Sequence, residues 1–80
     1  KKSLISPNPV KDKLILYPGE KNTELRIIII DLNGNILKNK IFNNKDASKI
    51  EIEVDDLAPS IYFVRLISDS KFENIKFVKK

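Results

Sequence analysis

Short apolar runs rich in isoleucine and valine, each ended by a turn-forming group, constrain the fold of this chain more than any other feature. Pro, Gly, Asn and Asp separate the runs at a spacing typical of a β-sandwich or β-barrel. Lys49 to Val54 has the clearest alternation, with Ile50 and Ile52 on one face and Glu51 and Glu53 on the other. The helical signal is poor throughout, so we expect strands rather than helices.

Seven such runs predict an all-β fold, a seven-stranded antiparallel immunoglobulin-like β-sandwich. The length of 80 residues predicts a single domain over residues 1–80, with a limited core. The predicted strands are Leu4–Ile5, Lys13–Tyr17, Glu24–Asp31, Asn35–Phe42, Lys49–Val54, Ile61–Ile67 and Phe72–Val78.

The segment DLNGN, between the third and fourth predicted strands, allows two hairpin registers. A two-residue type I′ turn at Asn33-Gly34 would pair Ile29 with Lys38 and set a lysine opposite a core isoleucine. A three-residue loop, with Gly34 in a left-handed bulge position after a type I turn, would pair Ile29 with Leu37 and make one face wholly apolar. Because a slip of one residue moves every side chain to the other face, we prefer the second register.

The stretch LAPSIYFVRL, Leu57 to Leu66, predicts a corner followed by a strand. In immunoglobulin-like sandwiches, a tyrosine near the start of a late strand hydrogen-bonds back to the preceding corner. Tyr62 has that position, and we expect its hydroxyl bond to contribute about 1 kcal/mol to stability.

Residues that could carry chemistry are scarce. The chain has neither histidine nor cysteine, so the commonest metal ligand and the usual general base are missing. DLNGN begins like a calcium loop, but Ile36 stands where that loop needs glycine and Phe42 where it needs glutamate. The pair Asp55-Asp56 is typical of a solvated strand end. We therefore predict a protein that is not an enzyme, with no catalytic residues, no metal site and no cofactor.

The charge of +4 and the pI of about 9.4 first suggest nucleic-acid binding. The lysines are spread along the chain and interleaved with acidic residues, which favours a solvated surface and no nucleic-acid partner. No apolar run approaches the roughly 18 residues that span a bilayer, so we predict no direct membrane insertion. The lysines around the last strand could also protect an exposed sheet edge.

Four motifs in order, SPNPVKDKL, IIIIDLNGNIL, LAPSIYFVRL and NIKFVKK, cover nearly the whole chain. Each motif is weak alone, but the ordered set is fairly specific. It resembles the C-terminal sorting domain of the type IX secretion system, also called the Por secretion system, of the Bacteroidetes. Ser60 is a departure, because the family usually has glycine at that corner, which would permit a positive φ.

The resemblance implies a non-enzymatic sorting signal that directs an N-terminal passenger across the outer membrane. The implied partners are the type IX outer-membrane translocon, a sortase-like peptidase and the passenger itself. The implied route is the periplasm in transit, then the cell surface or the extracellular space. The abrupt start at Lys1-Lys2 agrees with a domain excised from a larger secreted protein.

The resemblance also implies roles for particular residues. In the family, the final strand and the terminal lysines are associated with secretion, which implies recognition through Lys76, Phe77, Val78, Lys79 and Lys80. The residues whose implied role is structural are Pro7, Asn8, Pro9, Asp31, Gly34, Leu57, Tyr62 and Arg65.

An alternative function is that of a generic extracellular β-sandwich, acting as a spacer or carbohydrate-binding module of a secreted enzyme. Carbohydrate binding usually requires exposed aromatic side chains. The chain has no tryptophan and only two tyrosines, so composition favours the sorting domain.

Overall fold

The computed structural model of the protein describes residues 2–19, 24–43, 49–69 and 72–80. These residues contain seven strands and no helix that is long and apolar enough to cross a membrane. Each predicted strand is present, with ends that differ from the prediction by at most one residue. The strands are β1 (Leu4–Ser6), β2 (Lys13–Tyr17), β3 (Glu24–Ile30), β4 (Ile36–Asn43), β5 (Ile50–Glu53), β6 (Ser60–Ile67) and β7 (Phe72–Lys79).

The strands form two sheets. The first has the order β1-β2-β5 and the second the order β4-β3-β6-β7, and neighbouring strands in both sheets are antiparallel. The predicted all-β fold of seven antiparallel strands is confirmed, and the arrangement is consistent with an immunoglobulin-like sandwich.

The core lies between the two sheets and is built from alternate residues of the strands. The predicted placement of Ile50 and Ile52 on one face of β5 is confirmed, and both lie in the core with Leu14 and Leu16 of β2. Each such aliphatic side chain contributes about 1.5–3 kcal/mol when fully buried. The buried cluster consists of Val10, Leu14, Leu16, Leu25, Ile27, Ile29, Ile50, Ile52, Val54, Tyr62, Val64, Leu66 and Phe77.

The isoleucine run in β3 is buried on both faces of its sheet. Ile28 and Ile30 face away from the core cluster, yet both are buried. β3 lies between β4 and β6, so Ile28 and Ile30 each have a paired residue on both sides. A continuous apolar run is typical of a strand in this central position.

The loop of the β3–β4 hairpin has the predicted three-residue form. The Gly34 N–H donates to the carbonyl oxygen of Asp31, and the Asp31 N–H donates to that of Asn35, each at 3.1 Å. Gly34 has a φ of 85°, as the left-handed bulge position requires.

The preferred register beyond this loop was wrong. Ile30 pairs with Ile36, but the pairing then shifts at a β-bulge, and Ile29 pairs with Lys38 rather than Leu37. The bulge adds one residue to β4 and moves every following side chain to the other face. The lysine opposite Ile29 is accommodated because its Nζ lies 3.0 Å from the Asp56 carboxylate, while the side chain as a whole is only 22% exposed.

Candidate functional site

One end of the sandwich brings together most of the sequence motifs, and we call it the motif end: residues 8–10, 31–35, 55–62 and 76–80. Ser60, at the start of β6, pairs with Lys79 at the end of β7. Ile30, at the end of β3, pairs with Phe63, so the DLNGN loop lies beside the same corner. Motifs that are far apart in sequence therefore meet at one surface.

Asp31 organises the DLNGN loop through its side chain. Its Oδ1 accepts hydrogen bonds from the backbone N–H groups of Asn33 and Asn35, both at 2.9 Å. Its Oδ2 accepts a third from the Asn35 side-chain amide at 3.1 Å. The hydrogen bond from the Asn35 N–H is the main cause of an Asp31 pKa below the ordinary value. These contacts confirm the interpretation of the segment as a turn.

The corner before β6 is held by the predicted tyrosine contact. The Tyr62 hydroxyl donates to the carbonyl oxygen of Ala58 at 2.5 Å, which confirms the tyrosine corner. The Tyr62 ring stacks on that of Phe77, with centroids 5.6 Å apart. The Leu57 N–H donates to the Val54 carbonyl oxygen at 3.0 Å and closes the preceding turn.

Ser60, the departure from the family pattern, lies within β6 and pairs with Lys79. Strand backbone has a negative φ that L residues adopt without strain, so the corner forms without the conformational freedom of glycine.

The SPNPV segment covers the outer edge of β7. The Asn8 side chain accepts from the Val78 N–H at 2.9 Å and donates to the Lys76 carbonyl oxygen at 3.4 Å. Val10 continues the pairing, since its N–H donates to the Val78 carbonyl oxygen and its own carbonyl accepts from the Lys80 N–H, each at 2.8 Å. The Ser6–Pro7 and Asn8–Pro9 peptide bonds are both cis. Asn8 and Val10 thus satisfy the backbone groups that an edge strand would otherwise expose.

The five residues predicted for recognition differ in how much they expose. Phe77 is fully buried in the core, and Lys79 is also buried, with its Nζ donating to the Lys80 carbonyl oxygen at 3.3 Å. Val78 is half-buried, whereas Lys76 and Lys80 are exposed. Their role in recognition stays a prediction, and only the two exposed lysines offer whole side chains to a partner.

Arg65 lies away from the motif end, in the middle of β6 on the outer face of the four-stranded sheet. Its Nε donates to the Asn74 side-chain oxygen at 3.2 Å, and its guanidinium carbon lies 5.4 Å from the centre of the Phe72 ring. These contacts join β6 to β7, and the structural role that the resemblance implies for Arg65 stays a prediction.

An open groove of about 690 Å³ separates the DLNGN loop from the tyrosine corner. Leu32 and Leu37 contribute apolar side chains to it, together with Pro59. Asp56 also lines the groove, and its hydrogen bond with Lys38 is the main cause of its lowered pKa. Both acidic groups of the groove, Asp31 and Asp56, are therefore already engaged.

Two sets of structural contacts were not predicted from the sequence. The Lys38–Asp56 ion pair depends on the bulge in β4, for which the sequence has no signal. Glu73 accepts hydrogen bonds from both the N–H and the hydroxyl of Ser3, at 3.0 and 2.9 Å, and so ties β7 to the start of the chain. These partners are 70 residues apart, and no local pattern connects them.

Comparison with known proteins identifies the family. The model of the secretion system C-terminal sorting domain matches residues 4–80, which is nearly the whole chain. A search of curated proteins finds no match. Because the match covers all four motifs and the structure has the expected all-β fold, the chain belongs to the family of type IX secretion system C-terminal sorting domains.

Proposed function

We propose that this domain directs an N-terminal passenger across the outer membrane through the type IX translocon. The observation that carries the proposal is the family match over residues 4–80. The passenger would cross the periplasm and reach the cell surface or the extracellular space, where a sortase-like peptidase would remove the domain. The domain itself contributes recognition and no chemistry.

The recognition surface that we propose lies at the end of β7. Lys76 and Lys80 are exposed and supply positive charge to a partner, while Val78 adds apolar area on the outer face. Phe77 and Lys79 are buried, and we assign them the role of holding the strand in place. Asn8 and Val10 already occupy this edge, so contact would be made by side chains and not by strand addition.

The generic-module alternative finds less support. The Tyr62 ring is buried in the core, and the exposed rings of Tyr17 and Phe72 lie on different sheets. A single exposed ring on each sheet does not make the extended aromatic platform that carbohydrate binding usually needs.

The proposal is tested by fusing residues 1–80 to a periplasmic reporter in a bacterium with a working type IX system. The informative variant is Lys76→Glu with Lys80→Glu, which reverses the exposed charge without touching the core. We expect most of the reporter to remain inside the cell, while Lys11→Glu, a matched exposed lysine, leaves secretion unchanged.

Deleting Phe77 to Lys80 is a weaker test, because loss of a buried phenylalanine costs about 3–5 kcal/mol and would unfold so small a domain. Undiminished secretion of the folded Lys76→Glu, Lys80→Glu variant would exclude recognition through these lysines.

A further inference from the structure

The edges of the two sheets differ in how much backbone they leave open. β1 and β5 are edge strands of only three and four residues. β7 is long, but Asn8 and Val10 cover the part of its edge near the motif end. β4, with eight residues from Ile36 to Asn43, pairs only with β3 within the described part of the chain. It is therefore the long open edge of the sandwich.

The side chains of β4 protect its open edge only in part. Ile36, Leu37 and Ile41 are exposed by 59%, 42% and 52%. Natural edge strands usually carry charge, proline or covering segments, because open backbone beside apolar side chains favours pairing with another strand. Exposed apolar residues along an unpaired backbone mark a surface suited to a partner.

We propose that β4 accepts an extended acidic segment of a partner protein as an added antiparallel strand. The inference rests on the proposed sorting function, since the segment would belong to the secretion machinery. It assigns strand addition to β4, on the side of the sheet opposite to β7.

The lysines of β4 indicate that the partner strand is acidic. Lys38 and Lys40 pair with Ile29 and Ile27 of β3, so both lie on the face turned toward the core. Lys38 is held by Asp56, whereas Lys40 has no carboxylate within salt-bridge distance among the described residues. An added strand would place its own side chains beside these lysines, where acidic residues are favoured.

The same lysines disfavour a second copy of this chain as the occupant. Symmetric antiparallel pairings of two β4 strands centred on Asn39 or on Lys40 set lysine opposite lysine. Like charges directly opposite each other destabilise a strand pair. The other face of the added strand meets the exposed Ile41, which favours an apolar residue there.

The probe is an end-blocked peptide, Thr-Val-Val-Glu-Thr-Glu, designed to lie antiparallel to residues 38–43. Its valines would face Phe42 and Ile41, and its glutamates Lys40 and Lys38. Amide hydrogen exchange of the isotopically labelled 80-residue chain is measured with and without millimolar peptide. We expect the outward-facing amides of β4 to gain about tenfold or more in protection, while the amides of β7 do not change.

Two modified peptides separate strand addition from charge attraction. An added strand bonds to β4 through one edge only. Methylating the peptide nitrogens whose N–H groups face β4 should therefore abolish binding. Methylating the alternate nitrogens, whose N–H groups face away, should preserve it. Replacing both glutamates by lysine should weaken binding by about fivefold or more, and Lys40→Glu in the domain should reverse that preference. Lys11→Glu is the matched control and should leave the preference as it is.

Unchanged exchange in β4, equal binding of the two methylated peptides, or protection centred on β7 would overturn the inference. The assay uses the purified domain and is independent of secretion. A domain that fails to bind the peptide but still directs secretion would remove the β4 site and leave the sorting role intact.

Discussion

At the scale of single residues, the motif end is held by hydrogen bonds from side chains to backbone groups of the same chain. Tyr62 bonds Ala58, Asp31 bonds two N–H groups of its loop, and Asn8 bonds both a donor and an acceptor of β7. Such contacts support the prediction that the Asp-x-x-Gly, tyrosine and Pro-Asn-Pro motifs have a structural role. Their loss should appear as reduced stability before it appears as reduced recognition.

Tyr62→Phe removes the hydroxyl that bonds Ala58 and keeps the ring that stacks on Phe77. We expect a loss of about 1 kcal/mol in the free energy of unfolding, measured by urea denaturation. Tyr17→Phe, at an exposed position in β2, is the control and should change little. A Tyr62→Phe domain that keeps its full stability but is no longer secreted would assign the hydroxyl to recognition instead.

Gly34→Ala tests the left-handed position in the DLNGN loop. A Cβ atom at this site would meet no atom within 4 Å, so the cost arises from the backbone alone. At a φ of 85° we expect about 1–2 kcal/mol of destabilisation. Asn tolerates this conformation better, so Gly34→Asn should lose less stability in the same urea experiment. Equal losses for the two variants would argue against a conformational cause.

We expect the stability of the folded domain to depend on pH through the Asp31 carboxylate. Its folded pKa is lowered, mainly by the Asn35 N–H, so its charged form stabilises the folded state. This contribution is present above the unfolded pKa, near 3.8, and is lost as the pH falls through the lower folded value. Thermal melting between about pH 5 and pH 2 should show a smaller decrease in Tm for Asp31→Asn than for the wild type. Parallel curves would contradict this role for Asp31.

At the scale of strands, the SPNPV segment protects β7. Asn8→Ala removes two hydrogen bonds to the strand edge and should cost about 1–2 kcal/mol, measured by urea denaturation. Asn8→Asp keeps the acceptor for the Val78 N–H, which is the shorter bond, and should retain part of that stability. Hydrogen exchange should be faster at Val78 in the alanine variant, and an unchanged rate there would count against the cap.

Strand periodicity predicted the elements well, but not how all of them pair. The alternation in β5 correctly placed Ile50 and Ile52 in the core, because a half-buried strand encodes its face locally. The β3–β4 register was mispredicted because turn chemistry fixes only the loop. The bulge that follows brings Lys38 opposite Ile29, where it contacts Asp56 of the corner before β6, and no local pattern indicates that contact.

The candidate site could also be predicted only in part from the sequence, because some of its contacts join residues that are far apart in the chain. The tyrosine corner spans four residues and could be predicted. The cap on β7 joins residues about 70 positions apart, so no local pattern indicates it. Phe77 was among the residues implied in recognition, but its complete burial leaves Lys76 and Lys80 as the exposed lysines of the proposed signal.

At the scale of the whole molecule, the described edges of the two sheets differ in how far they are covered. Asn8 and Val10 cover the edge of β7 near the motif end, where Lys76 and Lys80 are exposed, whereas β4 pairs only with β3 among the residues that the structure describes. This arrangement agrees with the proposed role in protein recognition, and the family to which the chain belongs consists of sorting domains.

The proposed sorting role is tested most directly by locating a reporter fused to residues 1–80 in two matched strains. One strain has an active type IX translocon, and in the other the translocon is inactivated. We expect the reporter at the cell surface or in the medium only in the first strain. A folded fusion that stays in the periplasm of both strains would contradict it.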